Sequence, residues 1–157
     1  VIGLKIPVLG VCFGHQLLAD LLGGQVAYNP KGRNMGHSVC HLTQAGTKDL
    51  LLGSISTESH FNTLVSHQQS VIQLPQSVER LAYCDRDENH AFRYQNHVWG
   101  MQFHPEWTVA IMQAYIKQRQ ADLQAEGFDP QSMLKQLQPC NKARQVLLNF
   151  KNLNSTA

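Results

Sequence analysis

The sequence predicts an α/β layered domain, and three observations along the chain point to that fold class. The first residues have the order strand, helix, strand, as in a β-α-β unit. Short runs rich in β-branched and aromatic residues fill the middle of the chain. From Val109 onward the apolar residues recur at helical spacing. This succession of elements is typical of a sheet covered by helices.

The front of the chain begins with a short apolar strand over residues 8–11. The helix that follows has an apolar face made of Leu17, Leu18, Leu21 and Leu22, and the pair Gly23-Gly24 is suited to its C-terminus. A second short strand over 25–28 and a turn over 29–33 come next. We expect one parallel β-α-β unit here, with its first strand central in the sheet and flanked on both edges.

The middle and the end of the chain differ in the period of their apolar residues. Strands are predicted over 37–42, 61–66, 71–74, 80–84, 91–94 and 98–103, with turn residues at 74–77 and 85–89. Two amphipathic helices are predicted after Val109, one with a face through Met112 and Leu123 and one with a face through Ala143 and Phe150. The connector between them contains Gly127-Phe128-Asp129-Pro130. No internal repeat interrupts this order.

Composition excludes several classes of protein. Hydrophobic residues make up 43% of the 157 residues and charged residues 15%, which fits a globular domain rather than a disordered chain. A net charge of +2 with scattered basic residues argues against a nucleic-acid partner, and no apolar run is long enough for a membrane span. The four cysteines form no C-x-x-C pair, so neither a zinc knuckle nor a disulfide framework is indicated, and a cytoplasmic location is the simplest expectation.

Cys12 lies at the junction between the first strand and the first helix. Glycines two residues before and two residues after it would let the backbone turn sharply, as in the nucleophile elbow of hydrolases. A helix N-terminus favours the thiolate, which is the reactive form of cysteine. From these residues alone, a small buried thiol and an exposed nucleophile remain equally good interpretations.

A base for that thiol is available at His104. The chain has eight histidines, most of which we expect at the surface or in turns, and none is spaced as a helical zinc site, so no metal is predicted. His104 follows the strand over 98–103, and Glu106 comes two residues later. A thiol, an imidazole and a carboxylate supply the three roles of nucleophilic catalysis, although an ordinary strand-end turn would explain the last two residues without Cys12.

Two segments resemble motifs of one enzyme family. The stretch GVCFGHQ at 10–16 resembles the G-[IV]-C-x-G-x-Q elbow of class I, triad-type glutamine amidotransferases, and WGMQFHPE at 99–106 resembles their W-G-x-Q-F-H-P-E segment. The stretches VSH at 65–67 with LP at 74–75, and AFRY at 91–94, look like two further segments of the family. The resemblance covers about residues 6–110. Within the family, the chain looks like the stand-alone GMP-synthase-like branch.

The resemblance implies a Rossmann-like, flavodoxin-like layered fold, a triad of Cys12, His104 and Glu106, and no cofactor. Residues 1–108 would be part of the amidotransferase domain and 109–157 a helical segment of the same domain. The resemblance also implies that the backbone N–H of Phe13 donates to the oxyanion and that Gln16, Ser66 and His67 contact the amino-acid part of the substrate. The family's fold begins several strands before the cysteine, so we expect this chain, which starts at Val1, to lack the N-terminal part of the domain with its second oxyanion donor.

The implied activity is hydrolysis of the glutamine side-chain amide through a thioester on Cys12, with ammonia passed to an unknown acceptor such as a synthetase subunit. Arg33-Asn34 stands where relatives have a Glu, and Gln68-Gln69 replaces a common Gly-Asp, so the substrate preference is open. Hydrolysis of γ-glutamyl peptides by the same chemistry is one alternative. A catalytically silent, truncated fragment or interaction module is the other, and it would follow from the missing oxyanion donor.

Overall fold

The computed structural model describes residue 3 and residues 5–153, and these contain eight strands and five α-helices. In chain order they are β1 (Val8–Val11), α1 (Phe13–Leu21), β2 (Gln25–Tyr28), β3 (Asn34–Leu42), β4 (His60–His67), β5 (Gln69–Gln73), β6 (Val78–Cys84), β7 (Asp87–Tyr94), β8 (Val98–Met101), α2 (Val109–Gln118), α3 (Gln120–Ala125), α4 (Pro130–Gln136) and α5 (Asn141–Leu153). The predicted mixed α/β fold class is confirmed.

A six-stranded sheet with the order β1-β8-β7-β6-β3-β4 organises the molecule. Strands β1 and β8 pair in parallel, with Val11 opposite Met101, and every other pair in this sheet is antiparallel. Within the described residues β1 lies at the edge of the sheet and has β8 as its one neighbour. The register of β1 and β8 brings the residue after β1 close to the residues after β8, because parallel strands end at the same edge of a sheet.

The predicted parallel β-α-β unit is wrong. Strand β2 leaves the main sheet and pairs antiparallel with β5 in a separate two-stranded sheet. The turn after α1 directs it there: Gly23 has a φ of 90°, and Gly24 lies so close to the Gln73 carbonyl and Pro75 that a Cβ would be 2.8 Å from each. The parallel partner of β1 is instead β8, which comes much later in the chain.

Two hydrophobic clusters cover the two faces of the main sheet. The larger one joins Trp99, Met101 and Phe103 to residues of the C-terminal helices such as Met112 and Val146. The smaller cluster joins Phe92 on the opposite face to Ala19 of α1 and Val71 of β5. The helices after Val109 therefore share one core with the strands, while α1 and the small sheet cover the other face.

The buried face of α1 differs from the predicted one. Leu17 and Leu21 are 55% and 69% exposed, whereas His15 and Ala19 are fully buried. Ala19 and His15 are four residues apart, so they lie one above the other on the face that meets the sheet. The spacing predicts one buried stripe of four leucines, but only Leu18 and Leu22 pack against the small cluster.

The C-terminal region contains four helices instead of the two predicted. Arg119, with φ −101° and ψ 18°, separates α2 from α3. Helix α4 begins inside the predicted connector, where the Asp129 side chain accepts a hydrogen bond from the Gln131 N–H and Pro130 occupies the first turn. The connector's turn-like residues are thus helix-start signals.

Strands β3 and β7 are longer than predicted, because they begin at Asn34 and Asp87.

The longest described helix, α5, has 13 residues, and none of the helices in the described part of the chain is both long and apolar enough to cross a bilayer.

Candidate active site

Cys12 occupies a strained turn between β1 and α1. Its φ of 51° and ψ of −102° lie in a region that residues other than glycine rarely adopt. Hydrogen bonds hold it on both sides, because its N–H donates to the Met101 carbonyl at 2.8 Å and its carbonyl accepts from the Gln16 N–H at 3.2 Å. Cys12 is half-buried, so this turn leaves the residue partly exposed to solvent at the N-terminus of α1.

The two glycines around Cys12 have different roles. A Cβ on Gly10 would lie 2.6 Å from both the Gly14 carbonyl oxygen and the Leu18 Cδ1, so only glycine lets β1 approach α1 this closely. A Cβ on Gly14 would meet nothing within 4 Å among the described residues. The expected requirement for glycine is therefore present at the first position and absent at the second.

The structure places two of the three predicted catalytic residues in direct contact. His104 Nδ1 lies 2.6 Å from the Glu106 Oε1. Cys12 acts on the same imidazole, because its side chain is one of the groups that raise the pKa of His104. The His104 N–H donates to the Leu64 carbonyl at 2.9 Å, and the Trp107 ring stacks on the imidazole at 3.8 Å, so ring and backbone are both held.

The electrostatics of this group favour a charged imidazole. Burial opposes a charge on His104, but its bonds to Cys12 and Glu106 outweigh burial and raise its pKa to about 9. Burial likewise opposes a charge on Glu106, yet His104 lowers the pKa of that carboxyl below its ordinary value. At neutral pH His104 is therefore a cation.

A cavity of about 320 Å³ adjoins Cys12, and we call it the Cys12 cavity. It is lined by Cys12, Phe13, Gln16, Tyr28, Ser66, His67, Gln68 and Gln69. All four predicted substrate-contact residues are among them, and His104 is not. Tyr28 is a wall of this cavity that the sequence did not predict, because a tyrosine in a short strand carries no local signal of function; its side chain is 72% exposed.

A chain of side-chain amides connects the cavity wall to the sulfur. Gln16 Nε2 donates to the Gln69 carbonyl at 2.8 Å and to the Gln102 Oε1 at 3.1 Å, and Gln102 Nε2 lies 3.6 Å from the Cys12 Sγ. Both amide hydrogens of Gln16 are thus used within the protein, which leaves its oxygen for a ligand. Gln102 was missed as a site residue, although it belongs to the segment over 99–106 that carries His104 and Glu106.

His67 and Ser66 contribute to the cavity in different ways. Burial lowers the pKa of His67 to about 4, so its ring is neutral, and Nδ1 lies 2.8 Å from the Gln69 carbonyl. Its Nε2 is buried and has no hydrogen-bond partner in the described part of the chain. The Ser66 carbonyl lies 3.9 Å from the Cys12 Sγ. Neither residue brings a charge to the cavity.

The expectation that most histidines lie at the surface or in turns is wrong. His15, His67, His90 and His97 are buried, and His60 alone among the eight falls in the exposed class. His15 packs on Phe92 with ring centroids 4.9 Å apart, and burial lowers its pKa to about 4. Burial opposes a charge on His90, whose Nδ1 lies 3.3 Å from the Asp87 carboxylate. Asp87 and Cys84 outweigh burial and raise the pKa of His90 to about 9.

In the described residues no group of three or more His, Cys, Asp or Glu side chains is placed to hold a metal ion.

Residues 1–121 match the family model described as glutamine amidotransferase class-I. The chain belongs to this family. It is 37% identical over 110 residues to γ-glutamyl peptidase 5 of Arabidopsis thaliana, covering 69% of this chain and 43% of that protein. It is 32% identical over 108 residues to a GMP synthase of Borreliella burgdorferi, covering 69% of this chain and 20% of that protein.

A solved structure of a glutamine amidotransferase from Thermotoga maritima has the same fold. It superposes with a TM-score of 0.70 at 23% identity and covers 98% of this chain and 62% of that one. The predicted family, with GMP synthases among the relatives, and the predicted class I amidotransferase fold are both confirmed. The chain spans less than half the length of either curated relative.

Proposed function

We propose that the protein hydrolyses the side-chain amide of glutamine through a thioester on Cys12 and releases ammonia for an acceptor. One observation carries this proposal: His104 bonds the Glu106 carboxylate and has its pKa raised by the side chain of Cys12, which itself lines a cavity. That arrangement provides a nucleophile, a proton carrier and a group that orients it.

In the first half of the reaction the Cys12 thiolate attacks the carbonyl carbon of the glutamine side chain. The oxygen gains negative charge, and the backbone N–H of Phe13, in the first turn of α1, is the proposed donor to it. His104 then gives a proton to the leaving nitrogen, which departs as ammonia. A γ-glutamyl thioester remains on Cys12.

In the second half a water molecule replaces ammonia. Neutral His104 takes a proton from the water as its oxygen attacks the thioester carbonyl, the carbon–sulfur bond breaks, and glutamate leaves. The Cys12 thiolate and the His104 imidazolium are then restored. Glu106 holds the imidazole in one orientation and stabilises its charge in both halves.

Hydrolysis of γ-glutamyl peptides is the second candidate, and the similarity to a γ-glutamyl peptidase favours it. The acyl half of the substrate and the thioester are the same in both reactions, and only the leaving amine differs. The glutamyl-binding walls of the Cys12 cavity therefore serve either substrate. A synthetase subunit as ammonia acceptor is a proposal specific to the first reaction.

The test compares L-glutamine with γ-glutamylalanine as substrates of the full-length natural protein, measuring released ammonia and alanine. We expect Cys12→Ser to abolish turnover of whichever substrate is used, while Cys140→Ser, a matched change at a buried cysteine outside the site, retains it. Faster release of alanine would assign the protein to the peptidases. Turnover of neither substrate, or turnover that survives Cys12→Ser, would overturn the proposal, and the first of these results would favour the silent interpretation.

A further inference from the structure

A second cavity of about 660 Å³ adjoins the Cys12 cavity and shares the walls Tyr28 and Gln68 with it. We call it the basic groove. The residues that matter for its chemistry are Tyr28, Lys31, Arg33, Arg86, Glu126 and Phe128. Two aromatic rings and three cationic side chains therefore lie directly beyond the cavity that opens at the nucleophile.

The charges of the basic groove do not cancel. Arg33 is committed to Glu126, whose two carboxylate oxygens accept from it at 2.7 and 2.8 Å, and each partner shifts the pKa of the other toward the charged form. Lys31 and Arg86 contact only backbone oxygens: Lys31 Nζ donates to the Asp85 carbonyl at 2.6 Å, and Arg86 donates to the Lys31 carbonyl at 2.6 Å.

No ion pair in the described part of the chain involves Lys31 or Arg86. Arg86 also lies over the Phe128 ring, 5.9 Å from its centroid, which holds its guanidinium at the groove wall. Two fixed positive charges without a carboxylate partner attract an anion, and a groove concentrates their field.

The role of His104 as the proton donor indicates which part of the substrate would lie nearest the basic groove. The leaving group must lie on the His104 side, because His104 gives it a proton. His104 does not line the Cys12 cavity, so in the proposed reaction this cavity would receive the glutamyl part of the substrate. Tyr28 and Gln68 are the walls that the cavity shares with the basic groove, so a substrate that extends beyond its glutamyl part would enter the groove.

We propose that the basic groove binds an anionic extension on the α-nitrogen of the substrate, so that acidic N-acyl glutamines are preferred over neutral ones. The proposal rests on the proposed function for the orientation of the substrate. It goes beyond it because, apart from the nucleophile, the Cys12 cavity is lined by no charged side chain that could distinguish such substrates, His67 being neutral. The positive charges of Lys31 and Arg86 distinguish an anionic extension from a neutral one.

The test uses two compounds that differ only at their end, N-succinyl-L-glutamine with a terminal carboxylate and N-butyryl-L-glutamine with a terminal methyl. Their dissociation constants are measured by calorimetry on the full-length natural protein carrying Cys12→Ala, so that neither is consumed. We expect the succinyl compound to bind about three- to tenfold more tightly at low salt, as solvent-exposed ion pairs allow. The preference shrinks as salt is raised, because salt screens these charges.

Substitutions then locate the effect. Lys31→Met should reduce the preference and Lys31→Glu should reverse it, while Lys117→Met, which removes an exposed lysine on α2, should leave it unchanged. Equal constants for the two compounds, or a preference that Lys31→Glu does not alter, would overturn the proposal. Because binding is read without turnover, a preference for the succinyl compound in a protein that hydrolyses no amide would refute the proposed function and leave the groove assignment intact.

Discussion

The contact between His104 and Glu106 yields a sharp prediction for Glu106→Gln. The substitution keeps the size of the side chain but removes its negative charge 2.6 Å from the His104 Nδ1. An opposite charge at this distance shifts a pKa by about 1–3. We expect the lower part of that range, because the Glu106 side chain is 45% exposed and solvent screens the pair. The pKa of His104 should thus fall from about 9 by about 1, with the Cys12 contribution remaining.

The assay is an NMR titration of the histidine ring resonances in protein labelled with ¹³C-histidine, with His104→Asn to assign the signal. The matched control is Glu58→Gln, the same substitution beside the surface residue His60, whose Nε2 lies 3.9 Å from the Glu58 carboxylate. It should leave the His104 titration unchanged. A His104 midpoint that stays the same in Glu106→Gln would refute the reasoning.

The same contact determines how stability depends on pH. The pKa of folded His104 is above its ordinary value of 6.5, so its stabilising contribution is complete below pH 6.5 and is lost as the pH rises toward 9. The free energy of unfolding lost in Glu106→Gln, up to about 1 kcal/mol for a partly exposed pair, should therefore be larger at pH 6 than at pH 9.5. Turnover should fall by less than the roughly 10²–10⁴-fold that general acid–base catalysis contributes, because the imidazole itself remains.

Three further predictions concern the elbow and the core. Cys12 should react with limiting iodoacetamide before the other cysteines, which are at most 8% exposed, and preferential labelling of any of those by mass spectrometry would contradict the placement of the sulfur. In urea unfolding, Gly10→Ala should lose about 1–3 kcal/mol through its 2.6 Å clashes, whereas Gly14→Ala in open space should be neutral or stabilising; equal losses would refute the packing argument. Because the pKa of His15 is about 4 when folded and 6.5 when unfolded, stability should drop as pH falls through that interval, by about 3 kcal/mol from this residue, and His15→Leu should flatten the slope; an unchanged slope would argue against a buried neutral ring.

The catalytic candidates were predictable because the residues that define each of them are close together along the chain. The strand, the glycine at position 10 and the helix start determine the turn at Cys12 from within a few residues, and Glu106 reaches His104 across one proline. The same holds for β1 and α1, whose bounds agree with the apolar pattern. Such features depend on short-range sterics and hydrogen bonds, which the neighbouring residues already contain.

The ambiguity of local sequence patterns explains the wrong predictions in the C-terminal region and in α1. Asp129 and Pro130 are equally good turn residues and helix-start residues, and the choice between them depends on whether a core is there to bury the next turn. Leu17 and Leu21 had the spacing of a buried stripe, yet His15 and Ala19 face the sheet. Hydrophobic periodicity places a stripe on a helix but does not say which side a sheet will contact.

The sequence by itself determined the family and the α/β class and supplied the residues of the proposed triad, since these are carried by motifs whose members are close along the chain. The tertiary structure alone decided that β2 pairs with β5, that Gln102 reaches the Cys12 sulfur and that Lys31 and Arg86 border the groove beyond Tyr28. Each of these contacts joins residues tens of positions apart. Their partners are selected by the packing of the whole sheet and by the competition for its edges, and no local pattern encodes that selection.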